Sequence, residues 1–207
     1  YKTQVLTDIA ATLKDNARAT AVIACGTGKT LVAPWATEQA KRRTVLVLLP
    51  SLMLLQQTLR EWSQHTSWGS RPSYLCVCSD KTVGLRNDSI NIDKSDVGFK
   101  VDTDPELVRQ FLERETDDIK VVFSTYQSTE VVAESAAGLP PIDLAIFDEA
   151  HKTTGRAGGM FSYALDDEKV RINKRLFLTA TPRHIDIQKR DKEGDFRVQS
   201  MDDEALY

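Results

Sequence analysis

The chain has 207 residues, 41% hydrophobic and 28% charged, with a net charge of −3. That suits one generous α/β domain and excludes a uniformly basic nucleic-acid coat, though a local basic groove remains compatible with it. No apolar run approaches the roughly 20 residues of a membrane span.

In chain order, "TAVIAC" (20–25) reads as a buried strand and "KTLVAPWATEQAKR" (29–42) as a helix that Pro34 would distort. "TVLVLLP" (44–50) is a second strand. Residues 51–65 form a helix with Ser51 as N-cap and Leu52, Leu55, Leu59 and Trp62 as its core face. "SYLCVCS" (73–79) is a third strand, and 80–103 is a polar loop or insertion. Asp104 and Pro105 open a helix to about Glu115. Strands follow at 119–125, 142–148 and 174–181, with a helix at 127–137. The stretch 185–204 is charged and reads as a solvated edge or linker. Strands alternating with helices predict a three-layer α/β sandwich, a mostly parallel sheet with helices on both faces.

Three cysteines, Cys25, Cys76 and Cys78, point to a reducing, cytoplasmic setting rather than a disulfide framework. No signal peptide is visible, and a chain running from Tyr1 to Tyr207 reads as a piece of something longer.

Three stretches carry chemistry. The first is "AVIACGTGKT" (21–30), where a buried strand runs into a helix through Gly26, Thr27, Gly28, Lys29 and Thr30. Such a loop aims free backbone N–H groups at one point, and its glycines allow close approach to phosphate oxygens. Lys29 adds a charge for the β- and γ-phosphates, and Thr30 a hydroxyl for Mg²⁺. The pattern G-x-x-x-x-G-K-[ST] asks for glycine at 23, where this chain has Ile23. The second stretch, "AIFDEAHK" (145–152), places Asp148 and Glu149 at the carboxyl end of a buried strand, the rim where open α/β sheets bind ligands. Adjacent strand residues point apart, so one acid can serve Mg²⁺ and the other can take a proton from water. The third, "FLTATPRH" (177–184), ends another buried strand with Thr179 and Thr181, whose hydroxyls can meet a carboxylate or histidine of the second.

Taken together and in order, "ACGTGKT", "DEAH" and "TAT" resemble the first RecA-like lobe of a superfamily 2 helicase or translocase, from about Gln4 to Pro182. "DEAHKTTG" and "RLFLTATPRH" are similar to the restriction-enzyme-like and phage-defence-like branch. The resemblance implies a RecA-like P-loop NTPase lobe over residues 1–184 and a linker, 185–207, towards a second lobe. It implies ATP and Mg²⁺ as cofactors. Lys29 and Thr30 bind phosphate and Mg²⁺, Asp148 organises Mg²⁺, and Glu149 activates water. His151, Thr179 and Thr181 couple nucleotide state to nucleic-acid contact. "LPSLMLLQQT" makes Pro50 and Ser51 nucleic-acid contacts, and "STYQS" adds Ser124, Thr125 and Gln127. Turn formation and capping are the competing reading for those five. Gln4 matches the adenine-reading glutamine. The implied partners are nucleic acid, DNA before RNA, a second RecA-like lobe, and a fused nuclease or methyltransferase. Two other readings stay open: a P-loop ATPase that never translocates, and a binding module that uses nucleotide only as a structural ligand.

Overall fold

The structure, a computed structural model, describes residues 2–24, 27–39, 43–65, 73–78, 101–153, 163–190 and 196–201. Gly26, Cys25 and most of the polar segment 80–103 lie outside the described residues. Five helices, α1 (Lys2–Asp15), α2 (Lys29–Gln39), α3 (Leu52–His65), α4 (Pro105–Glu113) and α5 (Thr129–Ala136), flank one sheet. Its strands are β1 (Arg18–Val22), β2 (Thr44–Leu49), β3 (Ser73–Val77), β4 (Val101–Asp102), β5 (Lys120–Thr125), β6 (Leu144–Asp148) and β7 (Arg175–Thr179). They lie in the order β1-β7-β6-β2-β5-β3-β4, and every neighbouring pair is parallel.

Period-two side-chain alternation sorts this sheet into two packed faces. Val45, Val47 and Leu49 of β2 meet Ile9 and Leu13 of α1, Val32 and Ala36 of α2, and Leu55, Leu59 and Trp62 of α3. Leu46 and Leu48 turn to the opposite side, with Val108 and Leu112 of α4 and Val132 and Ala133 of α5. The predicted three-layer architecture is therefore observed. Asp104 caps α4, its carboxylate accepting the Glu106 N–H at 3.0 Å. Ser51 Oγ accepts the Leu54 N–H at 3.4 Å, a weak cap for α3. Pro34 lies inside α2 without ending it.

Arg175 on β7 is the largest fully buried side chain among the described residues, 1% exposed. Its guanidinium donates to the carbonyls of Ala164, Ile172 and Val170 and to Asp167 Oδ1 at 2.7 Å. It is a cation whose donors meet main-chain acceptors, the condition under which burial of charge is tolerated. Those bonds fasten the 163–172 segment beneath the sheet.

Three features depart from the sequence reading. The reading assigns no element before residue 20, yet α1 occupies 2–15 and buries only Ile9 and Leu13, a narrow apolar stripe. β4 is a two-residue strand at the end of the polar segment. The stretch read as a solvated edge or linker holds an antiparallel ribbon, β8 (Arg183–Arg190) and β9 (Phe196–Ser200), with a register shift between Asp186 and Arg190. Met201 after it is buried among the residues around α4 and α5, and its N–H donates to the Pro182 carbonyl at 3.0 Å.

Candidate functional site

All seven strands point the same way, so the segments after β1, β6 and β7 leave from one rim. β1 and β6 flank β7, so two strand spacings, about 9.5 Å, separate them. Long side chains close that gap. Lys29 Nζ lies 3.3 Å from Asp148 Oδ1 and is bonded to Glu149 Oε1. The three side chains are 11%, 13% and 26% exposed. Burial alone would lower the lysine pKa, but the two carboxylates outweigh it and hold Lys29 above its ordinary 10.5. Burial pushes the Asp148 carboxyl above its ordinary 3.8, with the Lys29 charge opposing and the Glu149 charge adding to the rise.

The loop from β1 takes its shape from few residues. Ile23 is still part of the strand layer: it is 1% exposed and its N–H donates to the Thr179 carbonyl at 2.8 Å. The turn starts after it, where the Thr27 hydroxyl donates to the Ala24 carbonyl at 2.7 Å. Gly28 sits at φ 90°, a conformation that favours glycine. A Cβ there would also fall 2.7 Å from Lys2 Nζ, which reaches over from the start of α1. Lys29 and Thr30 then open α2.

After β6 the chain turns sharply. Glu149 has φ 49°, in the left-handed region, which costs a side-chain-bearing residue roughly 1–2 kcal/mol. That turn brings its carboxylate to Lys29, with Oε2 3.4 Å from His151 Nδ1. His151 Nδ1 also meets Thr179 Oγ1 at 3.2 Å. The same Thr179 oxygen accepts the Thr181 backbone N–H at 3.1 Å. Thr181 therefore joins this chain of contacts through its main chain, not through the hydroxyl named in the sequence reading.

The remaining candidates divide. Ser51 is half-buried and Pro50 buried at the end of β2. Ser124 and Thr125 are fully buried, and their hydroxyls are spent locally, on the Thr125 carbonyl and the Ser128 hydroxyl at 3.0 Å each. Their hydroxyls shape the turn and are not presented at the surface. Gln127 is half-buried, and its Oε1 has no donor among the described residues. Gln4 is exposed on α1, with its amide donating to Asp8 Oδ1 at 2.9 Å. Sequence reasoning missed Lys2 over Gly28 and the bond from the buried Tyr126 hydroxyl to the Asp148 carbonyl at 2.8 Å. No spacing rule signals either one, because both contacts join segments remote in sequence.

A parallel sheet with a lysine loop, an acid pair and a histidine–threonine link on one rim is the architecture of a RecA-like ATPase lobe of the superfamily 2 helicase class. Comparison with known proteins agrees and is more specific. The chain belongs to the family described as "Type III restriction enzyme, res subunit", which it matches over residues 1–184. It is 33% identical over 174 residues to a probable helicase of African swine fever virus, covering 83% of this chain and 18% of that protein. Among solved structures it is similar to the ATP-dependent Type ISP restriction-modification enzyme LlaBIII bound to DNA, with TM-score 0.82, 32% identity, and coverage of 100% of this chain and 14% of that one. It is also similar to a nuclease-deletion mutant of the Type ISP enzyme LlaGI in complex with a DNA substrate mimic: TM-score 0.75, 33% identity, 100% and 19% covered. The chain spans less than a fifth of the length of these relatives.

Proposed function

We propose that this lobe binds Mg²⁺–ATP at the Lys29–Asp148–Glu149 rim and that the protein it serves couples hydrolysis to movement on DNA. The observation that carries the reading is the meeting of Lys29 with Asp148 and Glu149, from segments 120 residues apart. The donor set suits a magnesium nucleotide. Among the described residues there is no group of three or more histidine, cysteine or acidic side chains able to hold a metal alone. A Mg²⁺ ion here would take Asp148 and the Thr30 hydroxyl from the protein and its other oxygens from phosphate and water. Bound, it would neutralise charge on the β- and γ-phosphates.

The protein's own residues do the rest. Backbone N–H groups at the start of α2 cradle the phosphates, and Gly28 allows their approach. Lys29 exchanges its carboxylate partners for phosphate oxygens. Glu149, once released, orients the attacking water and accepts its proton. Taking that proton neutralises the Glu149 carboxylate beside His151, and the contact of His151 with Thr179 carries the change to the strand that bonds the phosphate-loop strand. Pro50, Ser51 and Gln127 line the nucleic-acid side, and Ser124 and Thr125 hold its turn. Gln4 would have to leave Asp8 to read adenine. DNA is favoured over RNA because LlaBIII and LlaGI are described with DNA or a DNA mimic. A second RecA-like lobe, a fused nuclease or methyltransferase, and a cytoplasmic location belong to the same proposal; the buried positions of Cys76 and Cys78 fit a reducing setting.

The test is ATP turnover of the protein carrying both lobes, with and without linear duplex DNA, beside Lys29→Ala. DNA-stimulated phosphate release that Lys29→Ala abolishes is the expected result. Turnover indifferent to DNA would leave a nucleotide switch and end the motor reading. The isolated lobe should turn over slowly, since an arginine from another lobe can contribute about 10³- to 10⁵-fold. Several turnovers per second from the lobe alone would contradict it.

A further inference from the structure

The peptide unit between Asp148 and Glu149 is held at both ends. Its N–H donates to Asp148 Oδ1 at 3.0 Å, and its carbonyl accepts the Tyr126 hydroxyl at 2.8 Å. Glu149 leaves that plane at φ 49°. The direction of its carboxylate therefore depends on how the plane is set: a rotation of the plane swings the Glu149 Cα and moves Oε1 and Oε2 relative to Lys29 and His151.

Tyr126 does not belong to the acid segment. It follows β5 and opens the short 126–128 turn. Its ring is 1% exposed and packs against Phe147, the residue before Asp148, with centroids 6.3 Å apart. Its carbonyl accepts the Thr129 hydroxyl at 2.8 Å, and Thr125 and Ser128 close the turn through their hydroxyls. These bonds tie the turn together, and Gln127, with a buried Oε1 lacking a donor among the described residues, lies within it. A donor brought by a ligand to Gln127 would satisfy that oxygen and shift the turn. Tyr126 would carry the shift to the Asp148 carbonyl.

We propose that Tyr126 is a positioning residue that passes nucleic-acid occupancy of the Gln127 turn to Glu149 through the Asp148 carbonyl. The proposal rests on the DNA-dependent ATPase reading above. It differs from the His151–Thr179 link, which joins the acid segment to β7, because Tyr126 joins it to β5 on another side of the sheet.

The test uses the protein carrying both lobes and linear duplex DNA. Tyr126→Phe removes one hydroxyl and keeps the ring and its packing; thermal melting checks the fold. The ratio of DNA-stimulated to DNA-free turnover should fall about three- to tenfold, the worth of one neutral hydrogen bond. The KM for ATP and the half-saturating DNA concentration should each move less than about twofold on the same reasoning, since Tyr126 touches neither ligand. An unchanged ratio overturns the proposal. So does an equal fall in both turnovers, which would make the bond a static brace. Wild-type turnover that DNA does not stimulate would remove the underlying reading and the proposal together, whereas wild-type stimulation with an unchanged Tyr126→Phe ratio removes the proposal alone.

Discussion

Replacing Lys29 with alanine removes the one cation from a cluster of three charges. At 3.3 Å from Asp148 Oδ1, an effective dielectric of about 20 gives an attraction of about 5 kcal/mol. Desolvation of both partners offsets much of it, so the net worth of the pair is far smaller. What remains after the substitution is two carboxylates side by side, with Asp148 already raised by burial and by Glu149. A triphosphate then approaches a negative site. The lost charge-assisted bond to phosphate is worth about 1.5–3 kcal/mol, or about ten- to 150-fold in Kd. Part of that is masked in the wild type, because Lys29 must first give up its carboxylates. The loss should be steeper without Mg²⁺, which otherwise supplies compensating charge. The assay is a titration of wild type and Lys29→Ala with a fluorescent ATP analogue, each with and without Mg²⁺, with thermal melting beside it. A cooperative melt with at least about tenfold weaker binding is expected on this reasoning. A folded variant with unchanged Kd would refute it.

Glu149→Gln keeps size and shape and removes the proton acceptor. Phosphate release should fall about 10²- to 10⁴-fold while nucleotide binding does not weaken, since Lys29 then has one carboxylate fewer to give up, as read by single-turnover kinetics and titration. Arg175→Met strands the buried carbonyls of Ala164, Ile172 and Val170, while exposed Asp167 returns to water. Urea denaturation should show a loss of at least about 1–3 kcal/mol, the cost of leaving a buried acceptor unsatisfied. The Cys76 thiol is pushed from 9.0 to about 12, by burial first and by Cys78 second. Its neutral form is favoured by folding, so the stability is fully present below pH 9 and is lost as pH rises towards 12. Denaturation at rising pH should show a drop of about 2 kcal/mol between pH 9 and 10.5 that Cys76→Ala flattens; equal slopes in the two proteins would refute the assignment.

The layers of this fold were legible because burial on both faces of a parallel sheet demands near-continuous apolar runs. "TVLVLL" and "LAIFD" leave little else for those residues to be. Helix α4 was legible because Asp104 and Pro105 announce it chemically. The ribbon β8–β9 was not, because Ile185, Ile187, Phe196 and Val198 alternate with charged and polar residues. Such a pattern has the period of a half-buried strand and the composition of a solvated tail, and the second signal dominated. The acid pair could be placed at a rim from the sequence. Its turn at φ 49° and its anchoring by Tyr126 could not, since both depend on β5 and β6 being brought close by β2 between them.

Ile23 is where pattern and structure diverge most usefully. A glycine at that position would let the backbone leave the sheet early and wrap the phosphates from further back. Ile23 instead extends the β1–β7 ladder through its bond to Thr179, and its side chain fills the face shared with α1 and α2. The loop is thereby shortened to start at Ala24, leaving Gly28 at φ 90° among its described residues. The same bond ties the residue just before the loop to Thr179, whose hydroxyl meets His151. In a longer glycine-led loop that tie would be slack. The isoleucine thus costs the cradle some freedom and gives the phosphate loop and the acid segment a rigid common support. Ile23→Gly should therefore loosen two things at once. It should destabilise the fold by about 2–5 kcal/mol through the lost side chain, and it should lower kcat by more than it raises nucleotide Kd, because the backbone bond to Thr179, which glycine can still make, is then held by a freer chain. An affinity loss with kcat intact would place the role of Ile23 in the cradle alone.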